Sequence, residues 1–391
     1  MARRRTTSSR GWRDDARSAV SERERAWTHT GYAQRIHFGA GALDRVADVV
    51  KEVNARRVML VTTEGRLASE AGRRLVDGLS RVLVSTFAGV RSHVPASAVQ
   101  SAVSQAQAEG VDGIVSFGGG SCADAAKAVC FFVEQQEGTP GSSYVDRPVL
   151  AHVSIPTTYS GAELTPFFGM TDEAARRKSG AGGPTIAPLA AIYDPLLTLD
   201  TPPRVSAETG MNALAHGVEC AYSPRRTPEA ETVALACVRR VASALPAVVE
   251  DPTDLEARTL MLEGAVLGGR CLQNASMGVH HGLAQLVGGR TGIPHGLANA
   301  VLLAHALRFT AAAVPDAAAR LGDALGDEAD PAGAVDRLRE RLALPGRLSD
   351  CGVTKGDVDA VVRLSQGNPN VGANARPADE DDARAILEAA F

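Results

Sequence analysis

Between residues 35 and 200, short apolar runs alternate with helix-like stretches, and no other feature narrows the accessible folds as much. The run at 57–62 (Arg-Val-Met-Leu-Val-Thr) reads as a buried strand, and 67–79 as an amphipathic helix. Residues 81–87, 113–117 and 149–155 read as further strands, with helices over 96–109 and 123–132 between them. Strands separated by whole helices are joined as crossovers, so their sheet is mainly parallel and covered by helices. Past Tyr193-Asp194-Pro195 the pattern changes. Residues 204–345 are rich in Ala and Leu at 3.6-residue periodicity, which predicts a helical domain. The expected plan is an α/β domain with a Rossmann-like parallel sheet over 33–202, then an all-α domain over 203–391. The boundary is expected near Pro202-Pro203, with Asp200-Thr201 capping the first helix.

The third strand runs straight into Gly118-Gly119-Gly120-Ser121, and a helix follows. Glycines let the backbone approach a ligand closely, and the N–H groups of the helix start face an anion. With Ser121, Asp124 and Lys127 following, the segment reads as a cradle for a dinucleotide pyrophosphate. It is neither Gly-x-Gly-x-x-Gly nor a Walker loop. The strand at 58–62 ends at Thr63-Glu64. An acid at such a strand end holds the adenine-ribose hydroxyls, and its absence admits a 2′-phosphate. With Thr63 neutral and Glu64 adjacent, the residues leave both NADH and NADPH open.

The second half carries His216, His281 and His295 in three separate segments. Imidazoles converging from separate segments make a metal site or an acid–base pocket. Asn212 and His216 are spaced i, i+4 and share a helix face, as do His281 and Gln285. Gly288-Gly289 is expected to end the second of these helices, and Pro294-His295-Gly296 to deliver the third imidazole from a turn.

The net charge of −4 argues against a general nucleic-acid binder. No apolar run is expected to be long enough to span a membrane. Six cysteines without Cys-x-x-Cys or framework spacing read as reduced thiols of a cytoplasmic protein. Residues 1–32 are expected to be a disordered extension: the first 27 hold eight Arg and four acids and lack the apolar core of a secretory signal.

Several segments together resemble the iron-containing (group III) alcohol dehydrogenase family, which shares the dehydroquinate synthase-like architecture. They are Val-Ser-Phe-Gly-Gly-Gly-Ser (115–121), Ile-Pro-Thr-Thr-Tyr-Ser-Gly-Ala-Glu-Leu-Thr-Pro (155–166), Ile-Tyr-Asp-Pro (192–195), Gly-Met-Asn-Ala-Leu-Ala-His-Gly-Val-Glu (210–219), His280-His281 and Asn-Ala-Arg-Pro (374–377). The resemblance covers about residues 33–391 and is strongest to the maleylacetate reductase branch. It implies that Gly118–Ser121 hold the pyrophosphate of NADH or NADPH, with Asp124 and Thr63 nearby. It also implies that Thr157, Thr158 and Lys178 line the nicotinamide side, and that His216, His281 and His295 surround the metal or substrate. A homodimer acting on a small-molecule substrate, with no nucleic-acid or membrane partner, follows from the same resemblance. Metal-using relatives resemble this chain with an Asp at position 212; the maleylacetate reductase branch, generally regarded as metal-free, is similar in having Asn. A neutral amide weakens binding of a hard divalent ion, so an Fe or Zn ion on Asn212, His216, His281 and His295 is the less favoured expectation.

The chain departs from that branch over 280–285 and around His295, where Pro-His-Gly-Leu-Ala-Asn-Ala (294–300) is more similar to the metal-using alcohol dehydrogenases. The branch resembles His-His-Lys-Leu-Cys-His at 280–285, whereas this chain has His-His-Gly-Leu-Ala-Gln. A substrate with two carboxylates calls for cationic partners, and Arg270 and Arg290 are the candidates to replace the missing Lys. The expected activity is reduction, by NADH or NADPH, of a small carboxylated enone or carbonyl compound, with a shifted substrate. The alternatives are a metal-dependent alcohol dehydrogenase and a non-redox lyase on the same fold.

Overall fold

The computed structural model describes residues 27–138, 148–173 and 177–391, with residues 177 and 178 described by backbone alone. Residues 1–26 of the expected disordered extension lie outside the described residues.

The first half builds a six-stranded sheet and a separate hairpin. In chain order the strands are β1 (Arg35–Phe38), β2 (Val58–Val61), β3 (Leu83–Phe87), β4 (Gly113–Gly118), β5 (Ala151–Pro156), β6 (Phe167–Asp172), β7 (Arg177–Gly182) and β8 (Ala190–Tyr193). The sheet order is β1-β8-β5-β4-β2-β3 with every pairing parallel, while β6 and β7 pair antiparallel. The helices are α1 (Val46–Glu52), α2 (Glu64–Ala68), α3 (Glu70–Leu79), α4 (Ala96–Ala108) and α5 (Gly120–Gln136). Side chains alternate across a strand, so β2 sends Val58 and Leu60 to one face and Met59 and Val61 to the other. One face packs on α1 and α3, the other on α4 and α5. Both faces are therefore covered, which is why these strands read as continuous apolar runs. The stretch expected as one helix over 67–79 is two, because Ser69 adopts extended backbone and caps α3 by accepting from Gly72 N at 3.0 Å.

The second half is helical: α6 (Pro203–Tyr222), α7 (Pro228–Glu250), α8 (Leu255–Cys271), α9 (Val279–Thr291), α10 (His295–Ala311), α11 (Pro315–Leu325), α12 (Pro331–Arg341), α13 (Lys355–Ser365), α14 (Pro369–Gly372) and α15 (Glu380–Ala389). Its core joins α6, α7, α8 and α10 to α11 and α12, and reaches Tyr159, Leu164 and Tyr193 of the first half. A second cluster holds α9, α13 and α15 against α10.

Three local expectations change. Pro202 rather than Asp200-Thr201 precedes α6, and the Thr201 hydroxyl instead donates to Thr157 O at 2.7 Å. Helix α9 runs through Gly288-Gly289 and stops at Gly292, whose φ of 76° is the left-handed conformation that closes helices. His295 opens α10 directly behind Pro294 rather than riding a turn. Helix α7 does reach the length and apolar composition of a membrane span. It packs against α6 and α8 in the core, and its Arg239 and Arg240 pair with Asp323 and Glu263.

Candidate active site

The chain passes from β2 out to β3 and returns across β2 to β4, so the strand order reverses between β2 and β4. Open parallel sheets bind ligands at the carboxyl ends of the strands flanking such a reversal. There β4 runs into the glycine turn, and the Thr62 hydroxyl ties the two strands by donating to Phe117 O at 2.8 Å. Gly118 has φ of 144°, and a Cβ on it would lie 2.5 Å from Cys122 Sγ. A Cβ on Gly120 would lie 2.9 Å from Ser160 Oγ, and one on Gly119 3.2 Å from Thr158 Cγ2. Glycine is therefore what allows the 157–160 loop to close over the start of α5. That helix begins at Gly119 with no side-chain cap, so its first N–H groups point outward for an anion. Ser121 sits half-buried in its first turn. The hydroxyls of Thr157 and Thr158 are buried without a hydrogen-bond partner. Helix-start donors beside two unpaired hydroxyls suit a polar, anionic guest such as a dinucleotide.

Other expected cofactor residues sit differently. Asp124 Oδ1 pairs with Lys127 Nζ at 2.9 Å, and Oδ2 accepts from Gly169 N at 3.2 Å. Lys127 is fully buried and also donates to Ala162 O, Thr165 Oγ1 and Phe167 O. The pair thus fastens the β6–β7 hairpin to α5. Thr63 caps α2 by accepting from Arg66 N at 3.2 Å. Lys178 lies in β7 opposite Thr171, and its side chain falls outside the described residues.

Across the cleft α6, α9 and α10 bring the three imidazoles together. His216 stacks on His281 with ring centroids 4.9 Å apart and planes at 21°, and His295 lies 5.9 Å from His281. Behind His281 stands Glu219, one turn past His216 on α6. Its Oε2 meets His281 Nδ1 at 2.5 Å, and its Oε1 accepts from the backbone N of Gly278 and His280 at 3.1 and 3.0 Å. Burial opposes ionisation of this carboxyl, but the two imidazoles and the backbone donors hold it well below the usual carboxylate range. His280 Nε2 meets the carbonyl oxygen of Asn299 at 3.0 Å, so Nε2 carries the proton and Nδ1 is free to face His281 Nδ1 at 3.2 Å. In neutral His281 the proton therefore sits on Nδ1, directed to Glu219. Its Nε2 is left as a bare lone pair, buried and without a partner. His216 Nδ1 is likewise buried and unpartnered, and burial, with His281 beside it, pushes His216 well below the ordinary imidazole range.

Asn212 has both ends engaged. Its Nδ2 donates to Ser160 O at 3.3 Å, and its Oδ1 accepts from Asn299 Nδ2 at 2.6 Å. Three imidazoles make a ligand set for zinc, but the fourth position offers no anion and its oxygen is already taken. Facing atoms of Glu219, His280 and His281 also lie within 4.8 Å of one another, yet they bond to each other and to backbone. The sequence signals for Glu219 are its i, i+3 spacing from His216 and the His280-His281 pair that it meets.

Residues 33–195 match the family described as iron-containing alcohol dehydrogenase, and residues 206–391 match its C-terminal domain. The chain belongs to the iron-containing alcohol dehydrogenase family. Its members are oxidoreductases, and the parallel-sheet and helical halves seen here are that family's fold. The chain is 33% identical over 357 residues to the maleylacetate reductase of Burkholderia cepacia, covering 91% of this chain and 95% of that protein. It is 32% identical over 372 residues to maleylacetate reductase 1 of Rhodococcus opacus, covering 95% and 98%. The crystal structure of the maleylacetate reductase from Rhizobium sp. strain MTP-10005 superposes with a TM-score of 0.83 at 32% identity, covering 94% and 98%.

Proposed function

We propose that this family member is a maleylacetate reductase-like enzyme that uses NADH or NADPH to reduce a small carbonyl compound or enone, without an obligatory metal. The observation that carries the reading is His281: an imidazole backed by an ionised carboxylate, with its other nitrogen buried and without a hydrogen-bond partner. A nicotinamide cofactor, when bound, would supply the hydride for the electron-poor carbon. The chain's part is to hold that cofactor at the glycine turn and Thr157-Thr158, and to manage the charge that develops on the substrate oxygen. The Glu219 carboxylate stabilises a proton taken up from water at His281 Nε2, where it is held for delivery to the substrate oxygen. His216, stacked on His281 and neutral, donates a hydrogen bond to the same oxygen, with His295 on the far side. Asn212 supports independence from metal, because its oxygen accepts from Asn299 where a metal-using site needs an anion. A homodimer of the cytoplasm fits the reading, supported by the family resemblance and by six cysteines that are all free.

The test is oxidation of NADH and NADPH with maleylacetate and simpler aldehydes, before and after exhaustive chelation. Turnover is expected to survive chelation. Loss of activity with EDTA and recovery with Fe²⁺ or Zn²⁺ would instead establish the metal-dependent dehydrogenase. Product formed without stoichiometric cofactor consumption would establish a lyase.

A further inference from the structure

We propose that the substrate end remote from the reacting carbon is an uncharged hydrogen-bonding group, received by the paired carboxamides of Gln285 and Asn370. The inference rests on the reductase reading above and adds the substrate class.

Gln285 stands one turn beyond His281 on the same face of α9, so their side chains start about 5–6 Å apart. It is half-buried, and its Oε1 accepts from Asn370 Nδ2 at 3.2 Å. That bond leaves the Gln285 N–H groups as donors and the Asn370 oxygen as an acceptor. Asn370 is held in place by its own turn: the backbone N of Asn370 and of Val371 both donate to Asn368 Oδ1, at 3.0 and 3.2 Å. The turn seats on Gly282. A Cβ at 282 would lie 2.6 Å from Val371 Cγ2 and 3.1 Å from Val371 N. The volume in which a longer side chain at 282 would start is thus filled by the Asn368–Val371 turn, and a lysine there would displace it.

Among the described residues, the candidate arginines are engaged elsewhere. Arg290 pairs with Asp357 at 3.0 Å on the surface, and Arg270 with Glu229 at 3.5 Å. Arg258 is fully buried but spends its guanidinium on Pro252 O, Tyr159 OH, Ser206 Oγ and Thr201 O. Among the described residues, the groups acting electrostatically on His216 and His281 are Glu219 and the histidines themselves. A substrate carboxylate at this pole would lose its water with an anion nearby and with the arginines named above already engaged. A hydroxyl or carboxamide would find one donor and one acceptor already aligned, and a site built to hydrogen-bond a group discriminates strongly.

The experiment uses three four-carbon aldehydes that differ only at the far end: carboxylate (4-oxobutanoate), carboxamide (4-oxobutanamide) and hydroxyl (4-hydroxybutanal). In the unmodified enzyme the carboxamide and hydroxyl compounds are expected to exceed the carboxylate by about tenfold or more in kcat/KM. Gln285→Lys is expected to reverse the order, and Gln285→Leu to erase it. Fluorescence titration of NADPH checks that both variants still fold and bind cofactor. A lead for the carboxylate in the unmodified enzyme overturns the inference and leaves the reductase reading intact. So does an unchanged ratio in Gln285→Lys with cofactor bound. Failure to reduce any of the three, with NADPH bound, overturns the inference; the reductase reading falls with it only if maleylacetate is not reduced either.

Discussion

Two buried imidazoles, one in the sheet and one in the helical half, show what turns a histidine into a catalyst. His152 on β5 meets Ser116 Oγ through its Nε2 at 2.9 Å, and Ser116 Oγ in turn meets Ser154 Oγ at 2.8 Å. His281 on α9 meets Glu219 at 2.5 Å. Both rings leave a second nitrogen buried without a partner. Burial lowers the affinity of both for a proton. At His152 the neighbouring Lys127 adds to that effect, and the pKa is pushed down to about 3. At His281 the Glu219 carboxylate works against it. Burial alone silences an imidazole; burial beside a fixed anion leaves one that can take a proton and give it back.

The largest effect that tests this contrast is removal of the active ring. His281→Ala is expected to lower kcat by at least about 10²-fold while the dissociation constant for NAD(P)H stays put. Equal turnover in the variant would remove His281 from the chemistry. Glu219→Gln should make His281 resemble His152, keeping a hydrogen-bonding side chain but losing the charge. We expect kcat to fall about 10- to 100-fold. The proton on His281 would then be lost at lower pH, so the alkaline limb of the kcat profile moves toward acid. A smaller kcat with an unmoved limb would mean that Glu219 only holds the backbone of residues 278–281.

Much of this was legible in the sequence because it is local. The strand running into Gly118-Gly119-Gly120-Ser121 and the i, i+4 pair Asn212/His216 are set by periodicity within one segment. What escaped is tertiary or short. Strands β1 and β8 have four residues each and only one β-branched residue apiece, unlike β2, which carries two valines in the same length. The β6–β7 hairpin depends on Lys127 fastening the segment just before and within it to α5. The role of Glu219 depends on α6 meeting the start of α9, and the need for glycine at 282 on the Asn368–Val371 turn far along the chain. Pro294-His295-Gly296 has turn composition, yet proline just before the first helical residue also starts helices, and here it does.

The smallest expected effect concerns the silent ring. His152→Gln should leave kcat unchanged, since the side chain sits within the sheet and touches neither the glycine turn nor the three site imidazoles. It should alter stability against pH. In the folded protein His152 stays neutral down to about pH 3, whereas in the unfolded chain it takes a proton near pH 6.5. Between these values the unfolded state binds more protons, so stability falls as pH drops, by at most about 1.4 kcal/mol per pH unit for this one group. Above pH 6.5 the ring is neutral in both states and contributes no slope. Denaturant unfolding from pH 7.5 to 4 should therefore show a shallower acid decline in His152→Gln than in the unmodified protein. The decline should not vanish, because His216 and His281 are also held neutral by burial and titrate in the same direction. Identical slopes in the two proteins would mean that the sheet admits a proton at His152, and the contrast with His281 would lose its basis.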